Sequence, residues 1–74
     1  MTTTASYSVT GMTCGHCVAA VTEELTALPG VENVHVQLVP GAVSVVTVTS
    51  GAPLTDDVVR EAVDEAGYEV TGRP

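Results

Sequence analysis

The sequence has no lysine, tryptophan or phenylalanine, and its only cationic side chains are two arginines. Against nine Asp and Glu residues, this leaves a formal net charge of −7 over 74 residues. Nucleic acids and anionic membrane surfaces both select basic proteins, so neither class of partner is expected. A basic protein patch or a cationic ligand is the more natural partner, although charge of this size also keeps a small protein soluble.

Long apolar runs are missing as well. No stretch approaches the roughly 20 apolar residues that span a bilayer, so no direct membrane insertion is expected. Residues 1–8 also lack the basic start and apolar centre of a secretory signal. We therefore expect a cytoplasmic protein with a single domain over residues 1–74, in which the two cysteines are thiols rather than a disulfide.

Two kinds of hydrophobic periodicity alternate along the chain. A short alternating strand around Tyr7 ends at Gly11, and a helical stripe then runs from Val18 to Leu28. Two further strands are separated by a turn at Pro40-Gly41, and a second helix and a last short strand complete the chain. The order βαββαβ predicts an α+β, ferredoxin-like sandwich: a four-stranded antiparallel sheet with two helices on one face.

The start of the second helix is marked by its capping residues. Thr55 is the predicted N-cap, and Asp56 and Asp57 in the first turn complement the helix dipole. Leu54 and Val59 occupy the two positions of a hydrophobic staple. These residues predict a helix that begins directly after Thr55.

The third strand is less clearly specified than the others. Over residues 43–49, Val43 and Val45 fit one face of the sheet, while Val46 and Val48 fit the other. A bulge or a partly covered outer face would explain this pattern.

Strand neighbours follow from the handedness of the connections. Right-handed crossovers predict that the first and third strands lie side by side and parallel, and that the fourth runs antiparallel beside the first. The start of the last strand then lies next to the end of the first. This arrangement brings Tyr68 close to residues 12–14.

The chemistry of the chain is concentrated in Gly-Met-Thr-Cys-Gly-His-Cys, residues 11–17, between a predicted strand and a predicted helix. Two thiols three residues apart can converge on one point, and the N–H groups and dipole of a helix start favour their thiolate forms. Two soft thiolates suit Cu(I), whereas structural zinc takes four ligands. Cu(I) on Cys14 and Cys17 would also stay open to a third sulfur, so the residues predict a carrier rather than an enzyme.

A redox enzyme is the alternative interpretation. Cys-Gly-His-Cys at a helix start is also the tetrapeptide of disulfide isomerases, which would make the protein a thiol-disulfide oxidoreductase. Against this, the chain is short for a thioredoxin-like fold, contains no tryptophan, and has only three predicted strands after the cysteines. Inert or disulfide-bonded core cysteines fit poorly too, because a glycine-flanked loop is a poor place for them.

These motifs resemble a known family. Gly-Met-Thr-Cys-x-x-Cys, Leu28-Pro29-Gly30-Val31 and Ala66-Gly67-Tyr68 are similar to the heavy-metal-associated domain family, over about residues 5–71 and nearly the whole chain. Within the family, the bacterial CopZ-type copper chaperones are most similar. The resemblance implies a βαββαβ sandwich, with Cu(I) held by Cys14 and Cys17.

The same resemblance implies a partner. Family members of this type deliver copper to the metal-binding domain of a copper-transporting P-type ATPase, and a copper-responsive regulator is a second candidate recipient. The near absence of basic residues departs from the family pattern and leaves open which face docks. We expect a monomer without copper, and two chains could share copper between four thiolates.

Three side chains are expected to surround the cysteines. Met12 is expected to fill the core beneath the loop rather than to act as a thioether ligand, as the resemblance also implies. His16 is expected to be exposed and to modulate the acidity of the thiols rather than to bind copper. Tyr68 could act on the site or simply pack, and His35 is expected on the outer surface.

Overall fold

The elements follow one another in the predicted order, β-α-β-β-α-β. The computed structural model describes residues 2–73. The elements are β1 (Thr3–Thr10), α1 (Gly15–Thr26), β2 (Val31–Gln37), β3 (Ser44–Ser50), α2 (Asp56–Glu65) and β4 (Glu69–Gly72). The strands lie in the order β2-β3-β1-β4, and every adjacent pair is antiparallel. With α1 and α2 packed against each other on one face, this is the predicted ferredoxin-like α+β sandwich.

The predicted neighbours of β1 are half right. β4 runs antiparallel beside β1, as expected, and pairs Glu69 with Thr10. However, β3 is also antiparallel to β1, with Tyr7 opposite Val46, so the predicted parallel pair is wrong. The crossover through α1 joins β1 to β2, which are not adjacent. The hairpin after β2 then reverses the chain and inserts β3 between them.

The core lies between the helices and the inner face of the sheet. β3 contributes Ser44, Val46, Val48 and Ser50 to this face, whereas Val45 is only half-buried on the outer face. The partly covered outer face is therefore the correct explanation of its ambiguous pattern. The buried apolar residues are Tyr7, Val9, Met12, Val21, Leu25, Val46, Val48, Val59, Ala62, Val63 and Val70.

The β2–β3 connection contains the predicted turn. The Ala42 N–H donates to the Val39 carbonyl at 3.1 Å, which places Pro40 and Gly41 at the centre of the turn. Gly41 has φ +74, as the third position of a type II turn requires. Within residues 2–73, neither helix combines the length and the apolarity needed to cross a bilayer.

Candidate metal centre

The link from β1 to α1 presents two cysteines at a helix N-terminus. Cys14 is the N-cap in an extended conformation, and its carbonyl accepts the N–H groups of Cys17 at 3.1 Å and Val18 at 3.3 Å. Its side chain makes no capping hydrogen bond. The first N–H groups of any helix lack intrahelical partners, so this end of α1 places a partial positive charge beside the sulfurs.

The two sulfurs are close enough to share one ion. Cys14 Sγ and Cys17 Sγ lie 3.8 Å apart, and both are free cysteines. Two metal–sulfur bonds of about 2.3 Å, the length found in zinc thiolates, span up to about 4.6 Å. Cys14 is exposed, while Cys17 is half-buried and packs against the core. The pair could therefore hold a soft ion at the surface, with one ligand more accessible than the other.

Cys17 is acidified by its surroundings. The backbone N–H of Thr13, followed by the Tyr68 hydroxyl and the backbone N–H of Cys14, lowers the pKa of Cys17 to about 6. The Thr13 hydroxyl adds a contact, with Oγ1 3.8 Å from Cys17 Sγ. The Tyr68 hydroxyl acts on Cys17 by donating toward its sulfur, which stabilises the thiolate. Cys17 is thus mainly thiolate at neutral pH, the form that binds metal.

The position of Tyr68 depends on a glycine. Gly11 has φ +97, a conformation that glycine adopts easily, and a Cβ at this position would lie 3.3 Å from Tyr68 Cδ1. The Tyr68 ring therefore packs directly over the backbone of the loop, which confirms the predicted proximity. The pKa of Tyr68 is raised, mainly because its hydroxyl is held by the Cys17 sulfur.

The other predicted neighbours are placed as follows. Met12 is fully buried in the core, as predicted, and His16 is exposed. His35 is also exposed, on β2. Across residues 2–73, the structure brings no three His, Cys, Asp or Glu side chains together as a cation site. The roles of Met12 and His16 toward a metal stay predictions.

Thr13 is the residue whose role the sequence analysis missed. It belongs to the recognised segment, but no function was assigned to it, although its amide is the largest influence on Cys17. The sequence carries no signal for this role, because the backbone amide rather than the side chain acts on Cys17 and Thr13 lies before α1 begins.

Known proteins are similar to this chain in sequence. Residues 6–69 match the family model of the heavy-metal-associated domain. Copper chaperone CopZ of Bacillus subtilis (strain 168) is 39% identical over 65 residues, covering 88% of this chain and 91% of that protein. Copper-transporting ATPase 1 of Rhizobium meliloti (strain 1021) is 40% identical over 63 residues, which are 85% of this chain and 7% of the ATPase.

A solved structure is similar to this chain in both sequence and fold. It is the N-terminal domain, in the Cu(I)-loaded state, of a potential copper-translocating P-type ATPase from Bacillus subtilis. It is 30% identical with a TM-score of 0.78, covering 100% of this chain and 92% of that one. In sequence, fold and cysteine loop, the chain belongs to the heavy-metal-associated domain family.

Proposed function

We propose that this protein is a cytoplasmic copper carrier of the CopZ type that binds Cu(I) through Cys14 and Cys17. The observation that carries the proposal is the pair of free sulfurs 3.8 Å apart at the surface. Thiolates are soft ligands that select Cu(I), and Cys17 is already acidified to a pKa of about 6. The relatives named as copper proteins support the identity of the metal. The family consists of metal-binding domains, so no catalytic activity is proposed.

Transfer would proceed by exchange of thiolates. A partner's thiolate forms a third bond to Cu(I), and one of the two original copper–sulfur bonds then breaks. A second thiolate of the partner replaces the remaining sulfur of this chain in the same way. Each displaced sulfur leaves as a thiolate, which can take a proton from solvent, and copper stays in the +1 state throughout. The exposed Cys14 is the sulfur that an approaching partner reaches first, because Cys17 is half-buried against the core.

The receiving protein is proposed to be a copper-transporting P-type ATPase, through its metal-binding domain. An ATPase of this class contains a segment 40% identical to the present chain. Two such domains would present matching pairs of thiolates, so copper could move between them with little change in free energy. A copper-responsive regulator with a thiolate pair is the second candidate recipient.

The lowered pKa of Cys17 would also suit thiol-disulfide exchange, since a thiolate is the attacking species. An insulin-reduction assay distinguishes the two functions. We expect negligible turnover beside thioredoxin as the positive control. Turnover comparable to that of thioredoxin would contradict the carrier proposal.

An anaerobic Cu(I) titration against a competing chromophoric chelator tests the metal site directly. The parent protein is expected to withdraw Cu(I) from the chelator, and the double variant Cys14→Ser/Cys17→Ser is expected not to. Because Cys14 is exposed and Cys17 only half-buried, circular dichroism should show the double variant folded. A folded double variant that still competes for copper would disprove the assignment. A parallel Zn²⁺ titration should show much weaker binding, since zinc prefers four ligands.

A further inference from the structure

A groove between α1 and α2 lies outside the metal centre. Its floor is apolar and is formed by Ala27 and Leu28 after α1 and by Val58 and Ala62 of α2, around a cavity of about 330 Å³. Val58 is 37% exposed, which is unusual for a large apolar side chain in this protein. The two alanines leave the cavity open, so the floor can bury an apolar side chain from another molecule.

The rim of the groove is negatively charged. Glu24 lies on the α1 side, and Glu61 and Glu65 lie one turn apart on α2. Both arginines of the chain are engaged elsewhere: Arg73 pairs with Asp56 at 2.7 Å, and Arg60 donates to the Val70 carbonyl at 3.2 Å. The chain has no lysine. Within residues 2–73, the rim carboxylates therefore have no cationic side chain of their own protein beside them.

We propose that this helix groove, lined by Glu24, Ala27, Leu28, Val58, Glu61, Ala62 and Glu65, docks a basic amphipathic helix of a partner protein. An apolar side chain of that helix would sit on the floor, and lysine or arginine residues flanking it would face the glutamates. Both features are needed: a simple cation cannot use the floor, and an apolar segment without charge cannot use the rim. Helix-in-groove recognition commonly combines an apolar stripe with complementary charges.

The position of the groove allows docking while the thiols stay free. Glu24 lies ten residues after Cys14, which is about 15 Å along α1 at 1.5 Å per residue. α2 runs back toward the loop, since Tyr68 follows it and packs over Gly11. An apolar side chain seated beside Ala27 and Leu28, at the far end of α1, would hold the protein beside its partner without contacting Cys14. The inference goes beyond copper binding and does not depend on it.

The test uses a synthetic amphipathic peptide of about 15 residues, with leucines on one face and lysines beside them. Its scrambled isomer, which keeps composition and charge, is the control peptide. In a titration of ¹⁵N-labelled, metal-free protein at low salt, the peptide should shift amide signals of Leu28, Val58 and Ala62. The scrambled isomer should bind more weakly, because its charge is the same but its apolar face is lost. Equal binding of both peptides, or shifts centred elsewhere, would overturn the proposal.

Charge reversal tests the rim against a matched control. Glu61→Lys/Glu65→Lys should weaken binding about tenfold, since each exposed charge contributes modestly. Glu23→Lys/Glu69→Lys makes the same change in net charge at exposed residues outside the groove and should weaken binding less than about threefold. If both double variants lost the same peptide affinity, the effect would come from net charge alone rather than from the rim of the groove, which would contradict the proposal.

Two further variants separate the floor and the metal site. Val58→Ser should weaken peptide binding without changing net charge, and unchanged binding would show that the floor is not used. Cys14→Ser/Cys17→Ser should leave peptide binding intact. In the parent protein, failure to bind copper with intact peptide binding would refute the proposed function alone, and copper binding without peptide binding would refute only the helix groove.

Discussion

The two strand-to-helix links of the molecule begin their helices in different ways. In the link to α2, the Thr55 hydroxyl accepts the Val58 N–H at 3.4 Å, and Asp56 and Asp57 lie in the first turn. In the link to α1, Cys14 makes no side-chain cap and the first turn has no acidic residue. The positive end of α2 is thus offset by its own carboxylates, whereas that of α1 faces two sulfurs that become anionic as thiolates.

The two links also differ in how they are anchored. Met12 in the first link is fully buried, while Leu54 in the second is only half-buried beside the core. Local capping thus stabilises the start of α2, and burial of one side chain fixes the start of α1. A helix start can therefore be left free for a ligand when the preceding loop is anchored in the core.

The largest effect is expected from removal of the anchor in the first link. Met12→Ala should lower the free energy of unfolding by about 2–5 kcal/mol, because it empties a fully buried site. Urea denaturation followed by circular dichroism measures this loss. Met12→Leu keeps the volume and should cost less than about 1.5 kcal/mol.

The copper affinity of Met12→Leu shows whether the Met12 thioether only fills the core or also contributes to copper binding. If Met12 only fills the core, this variant binds Cu(I) as tightly as the parent in the chelator competition. A clear loss of affinity in a variant of near-parental stability would show that the thioether contributes to the site.

Removal of the cap in the second link should have a smaller effect. Thr55→Ala leaves the first-turn N–H of Val58 without its side-chain acceptor and should cost about 1 kcal/mol of unfolding free energy. Cu(I) affinity should not change, because the thiols lie in the other link. Thr55→Ser restores a hydroxyl and should recover most of the stability. A copper-affinity change in Thr55→Ala would show that the two links are coupled.

Much of the difference between the two strand-to-helix links could be predicted from the sequence, because helix capping and hydrophobic periodicity depend on residues that are near one another in the chain. Thr55, its two aspartates and the βαββαβ order were all correctly identified, and Met12 was placed in the core. The wrong prediction that β1 and β3 run parallel concerned strands that are far apart in the sequence. Strand direction there depends on the hairpin at Pro40-Gly41, which reverses the chain before β3 returns to the centre of the sheet.

The difference between the two cysteines could not be read from the sequence. Both belong to one short motif, and only the folded loop turns Cys17 toward the Thr13 amide and Tyr68 while Cys14 stays exposed. Tyr68 could be located through strand pairing, because β4 begins beside the end of β1. Thr13 could not be assigned in this way, since its influence depends on the backbone conformation of the loop itself.

Tyr68→Phe should change the acidity of the site without changing the fold. Loss of the hydroxyl removes one of the groups that lower the pKa of Cys17, so this pKa should rise from about 6. The folded-state pKa lies below the ordinary value of about 8.5. The stability contributed by the thiolate is therefore fully present above that ordinary value and is lost as pH falls through about 6.

The pH dependence of iodoacetamide alkylation, measured in a Cys14→Ser background, reports the pKa of Cys17. The midpoint should move to higher pH in Tyr68→Phe. Tyr7→Phe is the matched control, because Tyr7 lies in the core beneath Arg73 and not at the loop. An unmoved midpoint in Tyr68→Phe would mean that the loop groups of Thr13 and Cys14 acidify Cys17 without the hydroxyl.

The smallest effect is expected at His16, which is exposed and separates the two cysteines in sequence. In its protonated form it would favour thiolate, as any neighbouring cation does. His16→Ser should therefore raise the pKa of Cys17 slightly, since an exposed charge contributes at most about 1 kcal/mol. His35→Ser, an exposed histidine on β2, should have no effect on that midpoint.

A copper ligand at His16 would behave differently from a neighbouring charge. X-ray absorption of the Cu(I) protein should show sulfur alone in the parent and an unchanged spectrum in His16→Ser. Because metal binding displaces thiol protons, the His16→Ser affinity should fall slightly and only toward lower pH. A nitrogen contribution that disappears in His16→Ser, together with an unchanged Cys17 midpoint, would make the histidine a ligand. The exposed end of α1 would then supply three donor atoms to copper instead of two, and the contrast with the self-capped start of α2 would be sharper still.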